Sequence, residues 1–384
     1  MKKNSKISII LVAVIILALA VGGCVSFAVY DTFLKPADFS YVSLEFEDMS
    51  YRHNFDELTD EEKYVYAVIL EHIYEMPEEI EIPALGGGNL NNIFSALSYD
   101  NPELFFMGDT CKVYRNGLKS FFKVDYTMSK DEYVSKLNEV KGIANSVAES
   151  AKQYTSVYER ELFVHDYIIN HTTYVELADS DNANNIYGCL VEGKAACEGY
   201  SRAFQYIMNL LGVDNRLVTG EGTQDGETYE PHMWNYVVID NAGYFVDLTW
   251  DDPTSGIAML KHTYFNITTN DCLVNRRNID QTLPLCTSTK YNYFVYENIL
   301  CGVSGGDALE VLLENAVNVS IQRKYNNVEL RFTNEQSFNE AKQNLFQKGI
   351  IYNVYKNIGL IDANGDKTVY YTADDDMYTI CLFF

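Results

Sequence analysis

Apolar positions along the chain fall into distinct regimes. Residues 9–30 are an uncharged, mostly apolar run. From residue 58 onward, apolar residues recur at helical spacing in some segments and alternate in others, with turn residues between them. The clearest helical pattern is at 197–212. Tyr200, Ala203, Phe204, Ile207 and Leu211 follow the i, i+3, i+4, i+7 rule, and Gly212 supplies a stop. Upstream, Leu58-Thr59-Asp60-Glu61-Glu62 reads as a helix start, with Thr59 or Asp60 as cap and acids in the first turn, running to about residue 74. Further helices are expected near 91–97, 129–153 and 158–170. Asn116-Gly117 between 111–115 and 119–126 is a hairpin signal.

Downstream, 216–220 reads as a short strand and 221–230 as a polar, glycine-containing loop. Residues 232–240 and 244–250 form a hairpin turning at 241–243, and 262–266 is a further core strand. The tail alternates: helix 307–315, strand 328–332, helix 335–347, then strands near 351–355, 367–372 and 378–383. Composition makes such cores feasible, since 47% of residues are hydrophobic and disorder is not expected. The length calls for more than one domain. The expected division is a signal or membrane anchor at 1–30, an N-terminal α+β region at 31–155, a core at 156–292 and a small C-terminal α+β module at 303–384.

The chemistry collects around one stretch. A loop of small residues, Gly193, Ala195 and Ala196, delivers Cys197 to the start of the best-patterned helix. A cysteine in a first helical turn feels the positive end of the dipole and free N–H groups, and both favour the thiolate, which is the nucleophile. His232 opens the next hairpin and Asp247 lies inside its second strand. Nucleophile, base and a carboxylate to orient the base thus follow in chain order. If Asn241 and Ala242 form the turn, ideal pairing sets Asp247 opposite Tyr236. A bulge, twist or slanted register must then bring it to His232. Asp240 and Asp251 are the nearest alternative acids. Taken singly, a cysteine is usually a small hydrophobe, and Cys189, with no helix start of its own, is read that way.

Gly193-x-x-x-Cys197-x-Gly199-Tyr200 on a helix, His232-x-Trp234 on a strand and Val246-Asp247-x-Thr249 on the next resemble the transglutaminase-like superfamily. Its members are papain-like thiol enzymes: transglutaminases, peptidases and deglycosylating amidases. The resemblance implies an α+β core with the catalytic cysteine on a helix packed against an antiparallel sheet. It makes Cys197 the nucleophile, His232 the base and Asp247 the orienting acid. Tyr187 becomes a side-chain donor to the oxyanion, beside the Cys197 backbone N–H. The implied reaction is acyl transfer at a peptide or protein amide through a thioester, resolved by water or an amine. That chemistry requires no cofactor. Hydrolysis, as by a cysteine peptidase or amidase, is expected to exceed amine transfer, with protein-glutamine transglutamination as the first alternative. A non-catalytic surface module that keeps the fold for binding is the other, and the intact triad counts against it.

Charge and cysteine usage narrow the setting. A formal charge of −25 repels phosphate backbones, so nucleic acid is not an expected partner. Lys2, Lys3 and Lys6 before the apolar run argue for insertion with the N-terminus inside and the rest of the chain outside the membrane. Val21-Gly-Gly-Cys24 resembles a bacterial lipoprotein cleavage box, which would lipidate Cys24. The apolar run continues past Cys24, however, and is long enough for an uncleaved anchor. The eight cysteines contain no Cys-x-x-Cys pair, which speaks against structural zinc. His165 and His171 are six apart and do not share a helical face as metal ligands would, and His262 has no partner visible in the sequence. Asp362-Ala-Asn364-Gly-Asp366 lacks the glycine and closing glutamate of a calcium loop and reads as a turn at Asn364-Gly365. Trp234 and Trp250 are placed to line an acyl-acceptor channel or to pack in the core. The acids Glu221, Asp225, Glu227 and Glu230 make the loop before His232 hydrated and attractive to a lysine-bearing acceptor.

Overall fold

The computed structural model describes residues 51–252, 259–302, 307–357, 359 and 369–383. The expected anchor at 1–30, Cys24 and the turn at Asn364-Gly365 lie outside the described residues. Among the described residues no helix is long and apolar enough to cross a membrane. They form an α+β chain in two compact units, residues 52–133 and residues 134–383.

The first unit packs the helices Asp60–Ile73 and Leu90–Asp100 with an antiparallel sheet of order β1-β3-β2, where β1 is Ile80–Ile82, β2 Met107–Asn116 and β3 Lys119–Tyr126. Thr59 caps the first helix in a reciprocal box with Glu62, which satisfies two N–H groups that no helical carbonyl can reach. The hairpin turns at Gly117-Leu118, with Asn116 paired to Lys119.

The second unit holds the candidate chemistry. The helix Val157–His171 leads into a parallel two-residue pair, β4 (Thr173–Tyr174) with β5 (Lys194–Ala195). The helix Cys197–Leu210 follows and packs on a sheet of order β8-β7-β6-β9, made of β6 (Asn215–Gly222), β7 (Glu230–Ile239), β8 (Ala242–Val246) and β9 (Arg276–Arg277). Val218, Trp234, Tyr236, Phe245, Tyr264 and Ile267 form a buried cluster on this sheet. A second sheet, β10-β11-β13-β12, comprises β10 (Leu300–Cys301), β11 (Asn327–Phe332), β12 (Tyr370–Asp374) and β13 (Thr379–Phe383).

Two expected strands are something else. Residues 263–266 fold as consecutive turns, and all five residues 262–266 are buried, without the period-2 alternation of a half-buried strand. Asn266 takes the left-handed backbone, φ 55°. The β-branched run near 351–355 is the helix Ile350–Asn357. Ile351, Val354 and Tyr355, three and four apart, are its buried stripe, so packing overrides local strand propensity. The helix expected at 335–347 ends at Lys342 and continues as a π-turn, Gln343–Gln347.

Candidate active site

Cys197 is the first residue of its helix. The approach is set by Gly193, whose left-handed φ of 65° ends the π-turn Gly188–Glu192, and by the Ala196 N–H, which donates to the Ala183 carbonyl at 2.8 Å. A Cβ at residue 199 would stand 2.4 Å from that same carbonyl oxygen, so the glycine two residues after Cys197 is a close-approach requirement. Ala196 at the N-cap supplies no side-chain hydrogen bond. The first-turn N–H groups therefore keep their field for whatever lies beside the thiol. One turn on, the Ser201 hydroxyl donates to the Met233 carbonyl at 3.0 Å, and the Asn235 amide donates to the Ser201 carbonyl at 3.0 Å. These two bonds pin the helix of Cys197 to β7 next to His232.

His232 and Asp247 meet without a bulge. The hairpin turns at Asp240 and Asn241, φ 50° and 62°, and pairs Ile239 with Ala242. Both are residue types that tolerate positive φ. This shifts the expected register. Had the ladder continued past Asn235–Val246, Asp247 would face Trp234, with His232 as its diagonal neighbour on the same face. Asp247 also lies just beyond β8 rather than inside it, as the N-cap of the one-turn helix Leu248–Asp251, where Oδ1 accepts from the Trp250 N–H at 3.2 Å.

His232 Nε2 lies 2.7 Å from Asp247 Oδ2, and the Cys197 side chain is near enough to act on the charge of the imidazole. With Nε2 taken by the carboxylate, Nδ1 is the nitrogen left for sulfur. The imidazole, 8% exposed, is flanked by the rings of Trp234 at 5.7 Å and Trp250 at 5.2 Å. Burial works against its charge, but the Asp247 carboxylate, the bond to it and the neighbouring Cys197 outweigh burial and raise its pKa to about 9. Asp247 is buried too. Burial alone would raise its pKa, yet His232 and Arg276 hold the carboxyl well below the usual range.

Arg276 is the residue that sequence reasoning missed. Its guanidinium is buried, bonds Asp247 Oδ2 and lies 4.0 Å from the centre of the Trp250 ring. The only signal was an Arg276-Arg277 pair in an acidic chain, since a buried carboxylate requires a partner. The alternative acids are engaged elsewhere: Asp240 binds Lys290 and Tyr291 at the hairpin tip, and Asp251 faces His165. Tyr187 is half-buried at the start of the π-turn, with Lys136 Nζ 4.8 Å above its ring. A phenol that feels the Cys197 charge is Tyr174. Burial raises its pKa to about 12, and Glu176, Cys197 and Glu230 push it the same way.

Trp234 is 1% exposed in the core cluster. The loop before His232 is tied down rather than loose. Glu221 bonds Arg277 at 2.7 Å, and Asp225 accepts from the N–H groups of Glu227 and Thr228 at 2.8 and 2.7 Å. Only two of its four acids, Glu227 and Glu230, then stand outside these bonds.

Among the described residues, His165, Asp166 and His262 are the group whose ligand atoms converge closely enough to hold a metal ion. Both nitrogens of each ring, however, lie 2.6–3.2 Å from carboxylate oxygens. Burial opposes charge on His262, but Glu329 and Asp166 raise its pKa to about 10. An imidazolium offers no lone pair to a cation, so these residues fit a hydrogen-bonded chain better than a metal centre. His262 therefore has partners, 67 and 96 positions away in sequence.

Thiol reactivity offers a direct check. Burial pushes Cys189 and Cys272 up to about 12, Cys111 and Cys286 up to about 11, and Cys381 upward as well. Cys197 is half-buried and raises the pKa of the neighbouring His232 imidazole. Limited iodoacetamide at mildly acidic pH should alkylate Cys197 ahead of these five, as read by peptide mass mapping. Labelling of Cys189 at the same rate would sink the assignment, and half-buried Cys301 is the internal comparison.

Residues 142–247 match the family model of the transglutaminase-like superfamily. That stretch of the chain is a transglutaminase-like domain, and Cys197, His232 and Asp247 all lie within it. No match was found among curated proteins. Three solved structures are similar over part of their length. One is a TGase, 18% identical, TM-score 0.28, with 48% of this chain and 52% of that one covered. The second, described as a cysteine-protease candidate from Cytophaga hutchinsonii, is 10% identical with a TM-score of 0.26, covering 40% and 65%. The third, described as a protease candidate from Parabacteroides distasonis ATCC 8503, is 11% identical with a TM-score of 0.22, covering 38% and 33%. This chain spans about half the length of the TGase.

Proposed function

We propose that this protein is a thiol acyl-transfer enzyme that hydrolyses peptide or protein amides. The observation that carries the proposal is the His232–Asp247 pair, with Cys197 acting on the imidazole from the first position of an uncapped helix. In this mechanism the Cys197 thiolate attacks the amide carbonyl carbon, and the oxyanion forms beside the Cys197 N–H. The His232 imidazolium then gives its proton to the departing amine, leaving a thioester and neutral imidazole. Water attacks the thioester as His232 takes its proton, and collapse releases the acid and restores the thiolate–imidazolium pair. Asp247 keeps the ring oriented and balances its charge throughout.

Hydrolysis is favoured over amine transfer for a physical reason. Transfer needs a dry acceptor channel that admits an amine and excludes water. Trp234, one of the two expected walls, is committed to the core. Glu221 and Asp225, expected to draw a lysine, are neutralised or used in a turn. The proposed setting is the outer side of a membrane, supported by Lys2, Lys3 and Lys6 ahead of the apolar run.

The test offers the full chain a glutamine- or asparagine-containing peptide library with and without excess labelled primary amine. Acid product should exceed amine adduct by mass spectrometry. Adduct in clear excess would refute the hydrolase preference and leave the nucleophile in place. Intact cells given the peptide outside should form the same product, and product seen only after lysis would overturn the placement.

A further inference from the structure

The acid that orients His232 sits at one end of a helix far too short to hold itself in place. Leu248–Asp251 is a single turn with Asp247 as its cap, and the Asp251 N–H donates to the Asp247 carbonyl at 3.2 Å. Such a turn has no stability of its own, because nucleation fixes several dihedrals for one hydrogen bond. Its direction must come from its ends. Arg276 and His232 hold the Asp247 end. The Asp251 end is fully buried and held by groups that the mechanism does not use.

Asp251 Oδ1 accepts from the Tyr264 N–H at 2.9 Å, and Oδ2 faces His165 Nε2 at 3.2 Å. The Lys261 N–H donates to the Asp251 carbonyl at 3.3 Å. His165 Nδ1 meets Asp166 Oδ1 at 3.0 Å, and the same oxygen meets His262 Nε2 at 3.0 Å. His262 Nδ1 meets Glu329 Oε2 at 2.6 Å, while its N–H donates to Glu329 Oε1 at 3.0 Å. Tyr325 donates its hydroxyl to Asp166 Oδ2 at 2.5 Å. Acids and imidazoles thus alternate from Asp251 to Glu329, which lies on β11 in the C-terminal sheet.

We propose that Asp251 is a positioning residue for the thiol site: anchored through His165, Asp166 and His262 to Glu329, it fixes the turn whose other end presents Asp247 to His232. The proposal rests on Cys197 being the nucleophile. It makes the C-terminal sheet part of the catalytic apparatus. Apolar packing fixes volume, whereas hydrogen bonds between buried charges fix direction. Direction is what the carboxylate needs, since a displacement of about 1 Å can cost roughly a hundredfold in rate.

Iodoacetamide is the probe, because alkylation of Cys197 needs no substrate. The groups facing His232 are Asp247, Cys197, Trp234 and Trp250, with Arg276 behind Asp247. When the paired imidazole loses its proton, the alkylation rate of the thiolate changes, so the pH of that step reports the His232–Asp247 contact. In wild type the step is expected near pH 9. Asp251→Asn and Glu329→Gln keep shape and replace one carboxyl oxygen each by an amide nitrogen. Both should move the step toward the ordinary imidazole value of about 6.5, Asp251→Asn the further. Leu345→Ala, elsewhere in the core, should lower Tm and leave the step in place.

A step unmoved in Asp251→Asn, with Cys197 still labelled, overturns the positioning role. If Asp251→Asn does not fold, an unmoved step in Glu329→Gln overturns it instead. A wild type in which Cys197 is not labelled preferentially overturns the nucleophile assignment, a different failure. One equivalent of divalent metal in the purified chain, whose chelation abolishes the step, would also overturn the hydrogen-bonded chain and make His165, Asp166 and His262 a metal site.

Discussion

Asp247→Asn should lose turnover and stability together, and a second substitution, Arg276→Met, should separate the two losses. The amide keeps the size of the side chain and can still cap the helix Leu248–Asp251, since asparagine and aspartate cap about equally well. What disappears is the charge. His232 then has no carboxylate to fix its tautomer, and in a well-studied triad the same change costs about 10⁴ in kcat. Arg276, fully buried against Trp250 and Tyr264, is left without its counter-ion, and breaking a buried pair from one side costs about 3–5 kcal/mol. Methionine at 276 removes the stranded cation and keeps apolar bulk between the rings. The double variant should therefore regain most of the urea midpoint lost in Asp247→Asn while turnover stays at the single-variant level. A single variant as stable as wild type would show that the Arg276 contact carries little energy. Recovered turnover in the double variant would show that Asp247 serves Arg276 rather than His232.

Cys197→Ala should give the opposite pattern, an inert protein that folds normally. Without a nucleophile the remaining oxyanion donor and binding surface leave only residual catalysis, so turnover should fall by about 10⁴ or more. Alanine is the best helix former, and the side chain it replaces is half-buried, so Tm should barely move. Cys189→Ala is the matched contrast. Cys189 is fully buried against Thr172, and its loss should cost roughly 1 kcal/mol of stability and little activity. Turnover retained in Cys197→Ala, measured on the same peptide library, would remove Cys197 from the mechanism altogether.

The parts of the site legible in the sequence were those written locally. A small-residue loop, an amphipathic repeat and a terminal glycine mark where the helix of Cys197 begins and ends, and the helix does begin at Cys197. The hairpin bearing His232 and leading to Asp247 announced itself by two runs rich in β-branched and aromatic residues around a turn at 241–243. Its register did not, because Asp240-Asn241 and Asn241-Ala242 are competing two-residue turns one position apart, and only backbone φ decides between them. Arg276, Glu329 and the partners of His262 were invisible for another reason. Each meets its partner across 29 to 96 positions, where spacing carries no information. The helix at 350–357 was misread because its β-branched residues favour a strand locally, while its burial stripe is set by what it packs against.

Ala196 has a consequence for anyone wishing to make this protein sturdier. Scanning for weak helix starts would single it out, since serine or aspartate at an N-cap typically adds about 1 kcal/mol over alanine. Yet the added oxygen would satisfy first-turn N–H groups one residue from the nucleophile, spending the field that the thiolate and the developing oxyanion draw on. Robustness and turnover are set against each other at this single methyl group, and a thermostable version will have to find its gains elsewhere in the chain.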